Sequence, residues 1–152
     1  MTVFESKATI RWLSSPPEGF PRMTVGSGLL VPALRLSVDP EAASPVATTP
    51  GELLAGAIGT IFAWFVAQDL VKHGTQASEL TADIMLTASG RAGDPTDVSL
   101  VGIVFRLVGR VPNIGQEDLE AIAEGGMRRC VETLGLRTDR LAITAETALE
   151  NA

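Results

Sequence analysis

The stretch from Pro50 to Gly74, PGELLAGAIGTIFAWFVAQDLVKHG, sets the terms for everything around it. Thr49 precedes Pro50, and Glu52 follows that threonine by three residues. The spacing is that of a capping box with proline at the first helical position, where a missing N–H costs nothing. Between Leu53 and Ala67 there is no charge and a single hydroxyl, so a helix here is apolar on every face. Such a helix has to be buried all round. Its uncharged run of about 15 residues falls short of the roughly 18–20 that cross a bilayer. Asp69, Lys72 and His73 then supply a wet end, and Gly74 a C′ stop. The expectation is a soluble protein wrapped round this helix.

The remaining composition narrows the function classes. The 152 residues suit one domain over 1–152 with a real core. A net charge of -6 with no basic cluster argues against a nucleic-acid surface or an anionic membrane as partner. There is no tyrosine, and the phenylalanines lie in apolar runs, so no base-stacking platform is evident. One cysteine excludes an internal disulfide framework. The opening MTVFESKATIRW alternates in character and carries Glu5 and Lys7, unlike a signal peptide, which makes the cytoplasm the expected setting. No Cys, His or carboxylate cluster has metal-ligand spacing, and no cofactor is implied.

Alternation marks the strands. Phe4, Ala8, Ile10 and Trp12 share one face against Glu5, Lys7, Thr9 and Arg11. Ser14 to Gly19 is turn chemistry, followed by a short strand through Met23, Val25 and Ser27 and another over Leu29 to Leu36, edged by Pro32. Asp39 to Gly51 reads as a surface connection. After the helix, Leu80, Ala82, Ile84 and Leu86 line one face of a strand over Glu79 to Ala88, with a loop from Ser89 to Pro95. Val98 to Val111 places Val101, Ile103, Phe105 and Leu107 together. From Gly115 to Leu134, Leu119, Ile122, Ala123, Met127, Cys130, Val131 and Leu134 follow helical spacing, and Gly135 stops the helix. Leu141 to Leu149 alternates as a closing strand. The order predicts an α+β architecture. One small sheet cannot cover every side of so apolar a helix, so a two-fold homodimer is expected to cover the rest.

The run T-P-G-E-L-L-A-G-A-I-G-T-I-F, Thr49 to Phe62, resembles the start of the central helix in the OsmC/Ohr family, where the pattern is roughly N-P-E-E-L-L-A-A-A-H-A-A-C-F. The opening strand ending in Trp12, V-P-N-I at Val111–Ile114 (V-P-G-I in the family), the helix bearing Cys130 and the last strand match in order and spacing. The resemblance spans nearly the whole chain. It implies an intertwined homodimer, with antiparallel sheets around a long buried central helix and a second amphipathic helix. It also implies thiol-dependent reduction of organic hydroperoxides in the oxidative-stress response. In the family a peroxidatic cysteine on the central helix attacks the peroxide, a resolving cysteine on the second helix closes a disulfide, and a glutamate and an arginine hold the first thiolate.

At those positions this chain departs. The peroxidatic cysteine falls on Ile61, the catalytic glutamate on Gly51 beside Glu52, and the family's histidine on Ile58. Cys130 matches the resolving cysteine, with Val131-Glu132 after it in place of Pro-Val. Arg22 is the nearest match to the arginine, with Arg11 behind it. Isoleucine supplies no nucleophile, so the two-cysteine cycle has no first step. What the resemblance leaves is a pocket made apolar by Ile58 and Ile61, with Glu52, Arg22 and Trp64 as further candidates to line it and a small apolar molecule or an organic hydroperoxide as its guest.

Several residues admit two readings. Cys130 is either the sole nucleophile of a one-cysteine peroxidase, its pKa lowered by Arg128 or Arg129, or a small buried hydrophobe beside Met127 and Leu134, the commoner fate of a free thiol. His73 is a general base or a helix-terminal residue answering the dipole. Glu52 is a pocket anchor or the N3 member of the capping box. Gly56 and Gly59 each cost about 1 kcal/mol in a helix and imply that another element approaches closely.

Overall fold

The computed structural model describes residues 2–13, 22–25, 50–91 and 97–150. Within them the order is β1 (Thr2–Leu13), β2 (Arg22–Val25), α1 (Pro50–Lys72), β3 (Glu79–Gly90), β4 (Ser99–Arg110), α2 (Gln116–Thr133) and β5 (Ala142–Leu149). The turn at 14–19, the strand expected over 29–36, the connection after Asp39 and the Thr49 cap lie outside the described residues.

The strands form one five-stranded sheet in the order β2-β1-β3-β4-β5. β1 pairs antiparallel with β2 and β3, and β3 with β4. The last pair departs from the expected antiparallel pattern: β5 runs parallel to β4, with Ile103 opposite Ile143 and Leu107 opposite Thr147. The cause is the connection. A helix between two neighbouring strands carries the chain back to its starting end, and the sheet becomes mixed.

Alternation places Ala8 and Ile10 of β1, Leu80, Ala82, Ile84 and Leu86 of β3, and Ile103, Phe105 and Leu107 of β4 on the buried face. Glu5, Lys7 and Arg11 face water, as their parity requires. Val101 is a correction. The register slips between Thr87, opposite Gly102, and Ala88, opposite Leu100, so Val101 has no cross-strand partner. The bulge hands the inward position at that end to Leu100, which packs against the core.

Both helices serve this face. α1 packs on β1 and β3 and against α2, while α2 also packs on β5. At Gly59 a Cβ would stand 2.7 Å from Ile10 Cγ1 and 2.9 Å from Ile84 Cγ1, so the helix closes onto the sheet through a missing side chain, the close approach that its helix-interior glycine implies. Gly126 does the same between helices, with Val66 Cγ2 2.9 Å from where its Cβ would be. The Phe62 and Phe105 rings meet edge-on at 5.0 Å and tie α1 to β4.

Each helix stops as its sequence dictates. Thr75 N–H donates to Leu70 O at 3.0 Å and Gly74 N–H to Val71 O at 3.0 Å, around Gly74 at φ 88°. Leu136 and Gly135 donate likewise to Val131 O and Glu132 O, around Gly135 at φ 63°. Both are Schellman stops, for which glycine is the favoured residue.

Burial all round does not hold for α1. Glu52, Ala55, Ile58, Phe62, Val66 and Leu70 are among its buried residues, yet Leu54 is 47%, Trp64 44% and Val71 43% exposed. α1 is also long and apolar enough to cross a membrane, contrary to the shorter count of its uncharged run, but half of its most apolar stretch is buried within this fold. That is a core helix with one bare side.

Candidate functional site

Of the residues singled out in the sequence, Glu52, Ile58, Ile61 and Trp64 lie on α1 and Cys130 on α2, and they do not form one open pocket. Ile58 is 1% exposed, inside the core. Its carbonyl, 3.6 Å from Cys130 Sγ, accepts the thiol's hydrogen bond. Cys130 itself is 0% exposed. Burial pushes its thiol up to about 11, the reverse of what a nucleophilic thiolate needs. The α1–α2 packing therefore places Cys130 beside the helix backbone one turn before Ile61.

Arg129 does not serve that thiol. It crosses to α1, where Nη2 donates to Phe65 O at 3.0 Å and pairs with the Asp69 carboxylate. Its guanidinium carbon lies 4.5 Å from the centroid of the Phe65 ring, a cation–π contact. Asp69 also takes Lys72 Nζ at 3.0 Å. This cluster clips the helices together at the edge of the bare side, and sequence periodicity gave no sign of it. The one available signal was an arginine on a half-buried position of an amphipathic helix. Arg128 is exposed.

Ile61 is half-buried and Trp64 exposed, its ring 5.3 Å from Phe65 and tilted by 43°. With Leu54, Ala57, Gln68 and Val71 they form one stripe along α1, spaced three and four residues apart. Glu52 is buried in the first turn, 7% exposed. Arg22 sits in β2 with its backbone in register with Arg11, and its side chain lies outside the described residues. His73 is exposed just past α1, where its N–H bonds Asp69 O at 2.9 Å. Among the described residues no group of three or more His, Cys, Asp or Glu comes together as a metal would require.

An open groove of about 660 Å³ lies past the end of α1, between Val71, Thr75 and Ser78 on one side and Pro112 and Asn113 on the other. Thr75 Oγ1 donates across it to Pro112 O at 2.6 Å. None of the residues proposed from sequence lines it. Asn113 holds φ 58°, the left-handed region. It stands where the family pattern has glycine, and asparagine is among the side chains that tolerate that conformation.

A long apolar helix under a mixed sheet, flanked by a second helix bearing the only cysteine, defines an OsmC-like α+β fold. Solved structures bear this out. An organic hydroperoxide resistance protein OsmC from Legionella pneumophila aligns with a TM-score of 0.57 at 14% identity, over 92% of this chain and 96% of its own. An OsmC-like protein from Mycoplasma pneumoniae gives 0.58 at 15%, over 93% and 94%. The organic hydroperoxide resistance protein OhrB of Bacillus subtilis gives 0.53 at 13%, over 95% and 97%. No family model matches the chain, and no curated protein matches it by sequence.

Proposed function

We propose that this chain is a cytoplasmic, homodimeric relative of the organic hydroperoxide resistance proteins that does not run the two-cysteine cycle and holds a small apolar molecule where its two copies meet. The observation that carries the reading is the fate of the two thiol positions. One is Ile61 on the bare side of α1, and the other, Cys130, is buried with its thiol raised to about 11. Reduction of a hydroperoxide needs a thiolate that attacks the outer oxygen, forming S–O as O–O breaks and an alcohol leaves. Ile61 has no such group, and the one-cysteine route through Cys130 asks for an exposed thiol beside a cation. The apolar stripe supports both the dimer and the guest, since it offers contact area but no reacting atom.

Intact-mass analysis after one equivalent of cumene hydroperoxide, with peroxide consumption followed in parallel, tests the chemistry. Cys130 is expected to stay unmodified and the peroxide to persist; a rapid gain of one oxygen would return the assignment to a one-cysteine enzyme. Sedimentation at micromolar concentration tests the assembly, with twice the 15.9 kDa chain mass expected and the single chain mass fatal to it. Saturable uptake of the neutral fluorophore N-phenyl-1-naphthylamine, lost in Ile61→Arg, is the expected sign of the guest site. Absence of saturable uptake by the dimer would remove it.

A further inference from the structure

The groove past the end of α1 has a lopsided capacity for hydrogen bonds. Two hydroxyls line it, and both have spent their protons. Thr75 Oγ1 donates to Pro112 O at 2.6 Å, and Ser78 Oγ donates to Arg110 O at 3.0 Å. A carbonyl oxygen can only accept, so each hydroxyl is left with lone pairs and no proton to offer. Gln76 and Asn113 add two exposed carboxamides, neither engaged by another described residue. Each carboxamide oxygen can accept as well.

The electrostatic setting has the same sign. The last turn of α1 closes beside the groove, with Gly74 N–H on Val71 O at 3.0 Å, and that end of a helix carries the negative pole of its dipole. Lys72, the cation of that turn, is held by Asp69 at 3.0 Å. Among the described residues the lining holds no charged side chain, and the chain as a whole carries a net charge of -6. Acceptors without protons, at the negative end of a helix, suit a guest that donates hydrogen bonds and bears positive charge. An ammonium group has three N–H donors and no acceptor. Val71 and Pro112 offer an apolar wall for whatever carries that group. The volume of about 660 Å³ matches a small-molecule site, for which roughly 300–1,000 Å³ is usual.

The geometry points to a second binding site, in which this groove takes small alkylammonium compounds. The ammonium head donates to Thr75 Oγ1, Ser78 Oγ and the carboxamide oxygens of Gln76 and Asn113, and the alkyl chain lies against Val71 and Pro112. The site is separate from the apolar guest proposed between two copies, and it does not depend on the homodimer.

Backbone-amide NMR of the whole chain, titrated with n-butylammonium chloride at neutral pH, tests it. Saturable shifts are expected at Gly74, Thr75, Gln76 and Asn113. The neutral and anionic counterparts, n-butanol and sodium butyrate, are expected to give none. Gln76→Glu adds a countercharge at an exposed position and is expected to tighten butylammonium binding. Gln76→Lys sets like charges together and is expected to weaken it by about tenfold or more. Equal saturable shifts with n-butanol would overturn the charge class. Absence of shifts, or shifts that rise without saturating and spread over acidic residues elsewhere, would overturn the site. Binding indifferent to both Gln76 variants would overturn it as well.

Discussion

Two surfaces of this molecule are exposed to a similar degree and could hardly differ more in chemistry. The outer face of the sheet is a ladder of opposite charges. Arg11 pairs with Glu79 at 2.7 Å, Glu79 with Arg110 at 3.7 Å, Arg110 with Glu150 at 3.1 Å, and Arg106 with Glu146 at 2.7 Å. The bare side of α1 presents Leu54, Trp64 and Val71 to the same solvent. A sheet face furnished in this way is finished, because each charge is answered within the chain and water answers the rest. A helix side furnished with leucine, tryptophan and valine is not finished, and single scattered apolar residues do not line up along 18 consecutive positions of one helix. The contrast singles out the surface through which the proposed homodimer would form.

The sharpest way to break the contrast is to make the two surfaces alike. Trp64→Asp is expected to weaken self-association about 100- to 1,000-fold, or about 3–4 kcal/mol at the centre of an interface, read by sedimentation. Thr144→Lys, on the outer face of β5, is expected to leave assembly unchanged. Equal tolerance of both substitutions would mean that the stripe is merely solvated.

A smaller effect separates two adjacent glycines of α2. Gly126 faces Val66, whereas a Cβ at Gly125 meets nothing within 4 Å. Gly126→Ala is expected to cost about 1–2 kcal/mol net of its gain in helix propensity, and Gly125→Ala to add up to about 1 kcal/mol. Denaturant midpoints measure both. A destabilising Gly125→Ala would reveal a second covered surface on α2.

The smallest effect belongs to the charge ladder. The hydrogen bond from Arg11, helped by the charges of Arg11 and Arg110 against the opposing cost of burial, holds the Glu79 carboxyl below its ordinary range. The folded state thus favours the carboxylate. Its contribution is complete above the unfolded pKa and is lost as pH falls through the lower folded value. Glu79→Gln is expected to differ slightly from the parent at neutral pH and low salt, and to converge with it in acid or at high ionic strength. A difference that persisted in acid would point to packing by the Glu79 side chain.

Much of this architecture was legible because the signals were periodic. The alternation at Leu80, Ala82, Ile84 and Leu86, the helical spacing from Leu119 to Val131, and the glycines after both helices each report one local geometry, and each geometry was found. The missed features depend on two segments at once. Whether β5 runs parallel to β4 depends on which edge α2 delivers it to, and the bulge at Val101 depends on the strand opposite. Gly59 was legible as a close approach, but which residues approached it was not. At the candidate site, the proposal that Ile61 stands where the family has its peroxidatic cysteine rests on residue identity alone. The burial of Cys130 and the capture of Arg129 by Asp69 and Phe65 are matters of helix rotation, which a single helical pattern fixes only to within a face.

One side chain governs the far edge of the sheet. Gln116, the first residue of α2, donates from its Nε2 to Thr147 O at 2.8 Å, and its Oε1 accepts from Leu149 N–H at 2.8 Å. Glu150 N–H bonds Gly109 O on the other side, so the carboxamide occupies backbone positions that a sixth strand would otherwise claim. It acts as a ruler as well as a plug. Because it fastens the beginning of the crossover helix to the end of the strand that follows, the chain between them has a fixed length to span, and lengthening that crossover by one residue would have to be taken up before Leu141 or the latch would meet the wrong atoms.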